Sequence, residues 1–104
     1  MMAFKIRTEL VRGSRPKRFR EGGRLHRHVR IFLDVENDES LDDVIMVEYE
    51  LHPTFRERIR SSTNRTDSFE TLIWTYGFFK IRARVVLRDE RTIEVQGFVR
   101  WPSL

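Results

Sequence analysis

A chain of 104 residues can hold one modest hydrophobic core and no more. Its 39% hydrophobic share includes eight Phe, two Trp and two Tyr, so that core can be aromatic; the lack of cysteine excludes a disulfide scaffold, a thiol nucleophile and any thiolate metal site. The net charge of +4 is unevenly spread, with ten basic residues from Lys5 to Arg30 against Glu9 and Glu21, then eight acidic and no basic residues from Asp34 to Glu50.

Seventeen arginines against three lysines favour forked contacts to carboxylate or phosphate. A basic arm can track nucleic acid. Here the aromatics do not interleave with the arginines as a stacking platform requires, so nucleic acid is not the favoured partner. Neutralisation of the acidic stretch, in this molecule or a neighbour, is the simpler reading. No apolar run approaches a membrane span and no signal-peptide apolar region follows Met1, so the expectation is a soluble, cytoplasmic protein without a membrane partner.

In chain order, Phe4-Lys5-Ile6-Arg7-Thr8-Glu9-Leu10 alternates as a strand with one buried face, and Gly13-Ser14-Arg15-Pro16 breaks it. Residues 12–24, which include Gly22-Gly23, lack an apolar period and are expected to form a mobile basic loop; Phe19 either pins it or is exposed. Val29, Ile31, Leu33 and Val35 make the next strand. Asn37-Asp38-Glu39-Ser40 is a polar turn, and Leu41-Asp42-Asp43 leads onward. The acidic run lacks the internal Gly and spaced carboxylates of a calcium loop and reads as solvated.

The third strand is the best marked. Ile45, Val47, Tyr49 and Leu51 alternate with Glu48 and Glu50 until Pro53, which has no N–H for the ladder, ends it. His52, Thr54 and Phe55 at the exit of a rigid strand supply a titrating ring, a hydroxyl and an aromatic face, as a binding loop needs. Residues 56–68 are polar, with Ile59 the lone large apolar side chain, and read as loop or irregular edge. Phe69, Thr71 and Ile73 alternate with Glu70, Leu72 and Trp74 as a strand apolar on both faces. Phe79, Ile81, Ala83, Val85 and Leu87 alternate with Lys80, Arg82 and Arg84. Arg88-Asp89-Glu90-Arg91 turns the chain, and Thr92 to Trp101 returns with Ile93, Val95, Gly97 and Val99 on one face before Pro102. Phe78 and Phe79 cannot both face inward, so one is expected on the surface.

About seven short strands without helical periodicity predict an all-β, immunoglobulin-like antiparallel sandwich, a single domain over residues 1–104, with a small open barrel as second choice. Val47, Tyr49, Leu51, Ile81, Val85 and Val95 are its expected core.

Catalysis finds little support. His26 and His28 share a strand face, yet Arg24, Arg27 and Arg30 around them would repel a cation, so neither a metal nor a cofactor is expected. No nucleophile elbow is present, and the expectation is a protein that is not an enzyme. Binding has the better case: Phe55 ends one strand, Tyr76 precedes another, and Gly77 beside it permits close approach, so two loop aromatics can form a slot.

These residues carry a resemblance. Leu51-His52-Pro53-Thr54-Phe55 resembles the Leu-His-x-(Ser/Thr)-Phe signature of YEATS domains in its prokaryotic form, and Thr75-Tyr76-Gly77-Phe78-Phe79 stands where that family has Gly-Trp-Gly-x-Phe. The span from Val29 to Val99 is similar to the family in its order of strands and loops. The resemblance implies a sandwich whose loop groove holds an acylated lysine between aromatic rings. It assigns Phe55 and Tyr76 as the sandwiching rings, Thr54 as hydroxyl donor, His52 as the ring that shapes the pocket, and the Tyr76 N–H as donor to the acyl oxygen. Thr75 stands where the motif has Gly, Phe78 where an acidic or small residue is usual, and Val29 where the second strand has Trp. The third wall of the slot falls on Leu25 or, with the register one residue on, His26.

The resulting expectation is a non-catalytic module that recognises an acylated protein or peptide, or a small flat modified ligand. It would serve as a sensor or adaptor in prokaryotic signalling or defence, with other protein partners. The alternative is a protein–protein interaction module using sheet edges or the basic arm, with no ligand groove.

Overall fold

The computed structural model describes residues 4–20, 23–35 and 41–101. The expected turn at 37–40, Gly22 and the terminator Pro102 lie outside the described residues. The described residues form seven strands, β1 (Phe4–Leu10), β2 (Arg27–Val35), β3 (Val44–Glu50), β4 (Ile59–Ser62), β5 (Thr71–Thr75), β6 (Phe79–Leu87) and β7 (Thr92–Val99), with one 3-10 turn at Arg65–Asp67 before β5. All pairings are antiparallel and form two sheets, β1-β2-β5 and β4-β3-β6-β7. The chain is an immunoglobulin-like sandwich.

The inward faces follow the alternation. Val29, Ile31 and Leu33 of β2 meet Val47 and Tyr49 of β3 and Ile81, Ala83, Val85 and Leu87 of β6 in one core, which Leu51, Phe69, Ile73 and Val99 complete. Of the expected core, Val95 is only half-buried, because β7 is the outermost strand of its sheet. A second difference is Ile45, 47% exposed where alternation placed it inward. The β3–β6 register shifts between Val44 and Met46, so one extra residue bulges out and Val44 takes the buried place. β4 is short and polar, with Ile59 exposed, and blunts the sheet edge it forms.

Two local features hold the sheets in relation to each other. Ser68 and Phe69 both adopt left-handed backbone conformations, with φ of 60° and 57°, and the fully buried Tyr49 hydroxyl donates to the Phe69 carbonyl at 2.7 Å. That bond joins β3 of one sheet to the entry of β5 in the other. At Gly97 the sheets come so close that an added Cβ would lie 2.9 Å from the Ile6 Cβ. The β6–β7 turn lacks glycine, and Glu90 itself takes the positive φ of 72°.

The charge pattern resolves unexpectedly. Glu48 and Glu50 stand opposite Arg84 and Arg82 on the β3–β6 ladder and pair with them, Asp34 pairs with Arg7, and Asp42 with Arg65. Among the described residues, the acids of this stretch that form ion pairs do so with arginines of the sheets and the 3-10 turn, and not with residues 12–24.

The segment between β1 and β2 folds back on itself. Lys17 and His26 exchange both backbone hydrogen bonds, at 2.9 and 2.7 Å. The Phe19 ring stands edge-on to His26 and Trp74, at centroid distances of 4.9 and 5.6 Å. No helix among the described residues is long and apolar enough to cross a membrane.

Candidate functional site

The site lies at one end of the sandwich, where the loop after β3 faces the loop between β5 and β6. Leu51 is buried and its N–H donates to the Arg58 carbonyl, so the eight-residue excursion leaves and rejoins a fixed point. Pro53 ends the ladder at the top, and the Phe55 N–H donates to the His52 carbonyl at 3.0 Å, closing a turn that carries Phe55 back toward the core. Phe55 is half-buried against Phe79, with ring centroids 5.2 Å apart.

On the opposite side, Thr75 is buried and locks its own turn. Its hydroxyl donates to the Gly77 carbonyl at 3.0 Å and accepts the Gly77 N–H at 3.3 Å. The turn projects Tyr76, which is 52% exposed, over the opening. The Tyr76 N–H lies one residue beyond the end of β5 and outside the Thr75–Gly77 exchange. Thr75 thus shapes the loop and has its hydroxyl occupied.

A cavity of about 480 Å³ fills the space between the loops, and His52, Thr54, Phe55, Thr75, Tyr76 and Gly77 all line it. Its volume is in the range of small-ligand sites. Of the two residues considered for a third wall, His26 lines the cavity, its ring edge-on to Tyr76 at 5.3 Å; Leu25 is exposed and does not line it. The Lys17–His26 bridge sets this register, turning the His26 ring to the Tyr76 side.

The polar side of the cavity is set by His52. The Thr54 N–H points to His52 Nδ1 at 3.2 Å. The Thr54 hydroxyl is hydrogen-bonded to the same nitrogen at 2.9 Å, so ring and hydroxyl hold each other in place.

Three contributors were not visible in the alternation. Trp74 lines the cavity and is stacked face to face on His28, with ring centroids 4.3 Å apart and planes 1° off parallel. The Arg24 guanidinium carbon sits 4.9 Å from the centre of the Tyr76 ring, covering it by a cation–π contact. Phe19 braces Trp74 from the side. The adjacency of Trp74 to Thr75-Tyr76 was the available signal for the first; the others depend on the path of the folded-back segment. Phe78 and Phe79 divide as expected: Phe79 is buried, and Phe78 is 54% exposed against the edge of Trp101.

His28 of β2 and His26 just before it both make aromatic contacts, and among the described residues no three His, Cys, Asp or Glu side chains gather as a metal site requires. A cavity with aromatic side walls and a few fixed hydrogen-bonding groups suits binding of a flat, neutral group.

The sequence model of the prokaryotic YEATS domain family matches residues 27–99, the span that holds both loops. Among solved structures, the Yaf9 YEATS domain recognizing an H3K122suc peptide is similar with a TM-score of 0.65 and 17% identity, over 97% of this chain and 75% of that one. The Yaf9 YEATS domain bound to H3K27ac is similar with a TM-score of 0.66 and 17% identity, over 100% of this chain and 77% of that one. At that identity the likeness is one of fold. No curated protein matches the chain.

Proposed function

Since the chain belongs to the prokaryotic YEATS domain family, we propose that it is a non-catalytic reader of an acylated lysine, held in the cavity between the loops after β3 and β5. The observation that carries this reading is convergence. Six side chains or backbone positions from two loops, 20 residues apart in sequence or more, line one cavity, and the family pattern covers them all. The two structural relatives are described with succinylated and acetylated histone peptides, which supports a modified-lysine ligand class.

The chemistry fits a neutral amide. Phe55 and Tyr76 offer ring faces to a flat acyl group, and Thr54 and the Tyr76 N–H are the donors available for its carbonyl. An unmodified lysine is disfavoured, because its ammonium would lose hydration beside Tyr76 with the Arg24 guanidinium already on that ring and no carboxylate among the described cavity-lining residues to replace the water. Ring stacking and one or two hydrogen bonds, less the cost of ordering a peptide, give affinities on the order of micromolar or weaker. A sensor or adaptor role in prokaryotic signalling or defence completes the proposal; its support is the family alone.

Isothermal titration with an acetyl-lysine peptide and its unmodified twin tests the reading. The acetylated form should bind and the twin should not; equal binding would refute it. Thr54→Val should weaken the acetylated complex by about 1 kcal/mol, the worth of one hydrogen bond.

A further inference from the structure

A second, larger trough of about 910 Å³ opens from the acyl cavity and shares His26, Phe55, Arg56, Trp74 and Tyr76 with it. It runs along the open side of the sandwich, where β5 is the edge of one sheet and β4 the edge of the other. Leu72, Ile73 and Trp74 of β5 form one bank, and Arg60 of β4 stands on the other.

Its charge is one-sided. Among the described residues, four arginines line it, Arg20, Arg24, Arg56 and Arg60, against a single carboxylate, Glu57. That carboxylate is 74% exposed and reaches only to 3.9 Å of Arg60. Arg24 is held on the Tyr76 ring and Arg60 on the Glu57 carbonyl, neither of which cancels a charge. Among the described residues, Arg20 and Arg56 have no ion-pair partner, and the described acids of the Asp34–Glu50 stretch that form ion pairs do so with arginines elsewhere. Arginine forks beside aromatic and aliphatic walls suit carboxylates on an extended chain. The free edge of β5 is a ready partner for such a chain's backbone.

We propose that this trough seats the peptide that carries the acylated lysine, and that it selects an acidic segment, rich in Asp or Glu beside the modified residue. The inference rests on the acyl-reading proposal for the neighbouring cavity and adds the class of its partner. A basic segment would bring further cations against four guanidinium groups, of which only Arg60 has a described carboxylate partner, and is rejected by repulsion.

The test is a matrix of acetyl-lysine and unmodified peptides with acidic, neutral or basic flanks, titrated by fluorescence anisotropy into the full chain. Acidic flanks should tighten binding about ten-fold over neutral ones, the scale of a few partly screened charge pairs, and basic flanks should weaken it. The advantage should shrink as salt is raised from about 0.05 to 0.5 M, where the screening length falls to a few ångströms. Arg20→Glu with Arg60→Glu should invert the flank preference, an outcome that misfolding cannot imitate; Arg20→Gln alone should reduce it in a melt-checked protein. Flank-independent binding of acetylated peptides would overturn the inference and leave the acyl reading standing. Loss of acyl dependence with the acidic preference retained would overturn the acyl reading and support the trough as an acidic-segment site. Self-association at assay concentration, abolished by the charge reversal, would overturn the peptide in favour of a second copy of this chain.

Discussion

Tyr49→Phe removes one oxygen and leaves the ring where it is. In the parent, the hydroxyl donates at 2.7 Å to the carbonyl of Phe69, and both residues are fully buried. Burial also pushes the phenol well above its ordinary value, so the group stays a donor throughout the working pH range. Without it, the Phe69 carbonyl remains away from water at a backbone bend already held in the left-handed region. An unsatisfied buried acceptor costs about 1–3 kcal/mol. For a domain of this size each kcal/mol lowers the melting temperature by roughly 4–8 °C, so a drop of at least about 4 °C is expected. Urea unfolding should show a lower midpoint with an unchanged slope, since the surface exposed on unfolding is the same. A loss below about 0.5 kcal/mol would refute the claim that this bond ties the two sheets together.

Gly97→Ala should cost about 1–3 kcal/mol by thermal melt, because the new methyl would sit 2.9 Å from the Ile6 Cβ where the sheets meet; a neutral effect would show that β1 yields. The Arg82 hydrogen bond holds the Glu50 carboxyl below its ordinary value of 4.5. A depressed folded value contributes stability above the unfolded value that is lost as pH falls through the folded one. Denaturation below pH 4.5 should therefore be steeper for the parent than for Glu50→Gln, and parallel curves would contradict the pairing. Phe19→Ala should lower stability by only about 0.5–1.5 kcal/mol and shift tryptophan emission, because the ring braces Trp74 yet is largely exposed. An unaltered spectrum would mean the basic segment is not held there.

How much of this was legible in the sequence follows from what alternation can report. Strands buried on one face, β1, β2, β6 and β7, announce themselves because every second side chain is apolar. Ile45 misled because a bulge adds one residue without changing composition, which moves a side chain to the other face. β4 was only an irregular edge in the sequence because an open edge strand has little to bury. The two loop motifs located His52, Thr54, Phe55, Thr75, Tyr76 and Gly77 around one cavity. They did not reveal that Thr75 closes its own turn, nor that Arg24 covers Tyr76, since both depend on backbone geometry. The choice between Leu25 and His26 turned on a single long-range bridge to Lys17. The destination of the acidic charge was illegible for the same reason: cross-strand register, not sequence distance, brings Arg82 and Arg84 to Glu50 and Glu48.

The central claim is that Phe55 and Tyr76 are two walls of one acyl-lysine slot, and calorimetric titration of Phe55→Ala and Tyr76→Ala with an acetyl-lysine peptide tests it most directly. Each variant should retain the parent's far-ultraviolet dichroism, since Tyr76 is exposed and Phe55 only half-buried, and each should lose detectable binding. Folded variants that bind the acetylated peptide as tightly as the parent would contradict the slot and return the protein to the class of edge- or arm-mediated interaction modules.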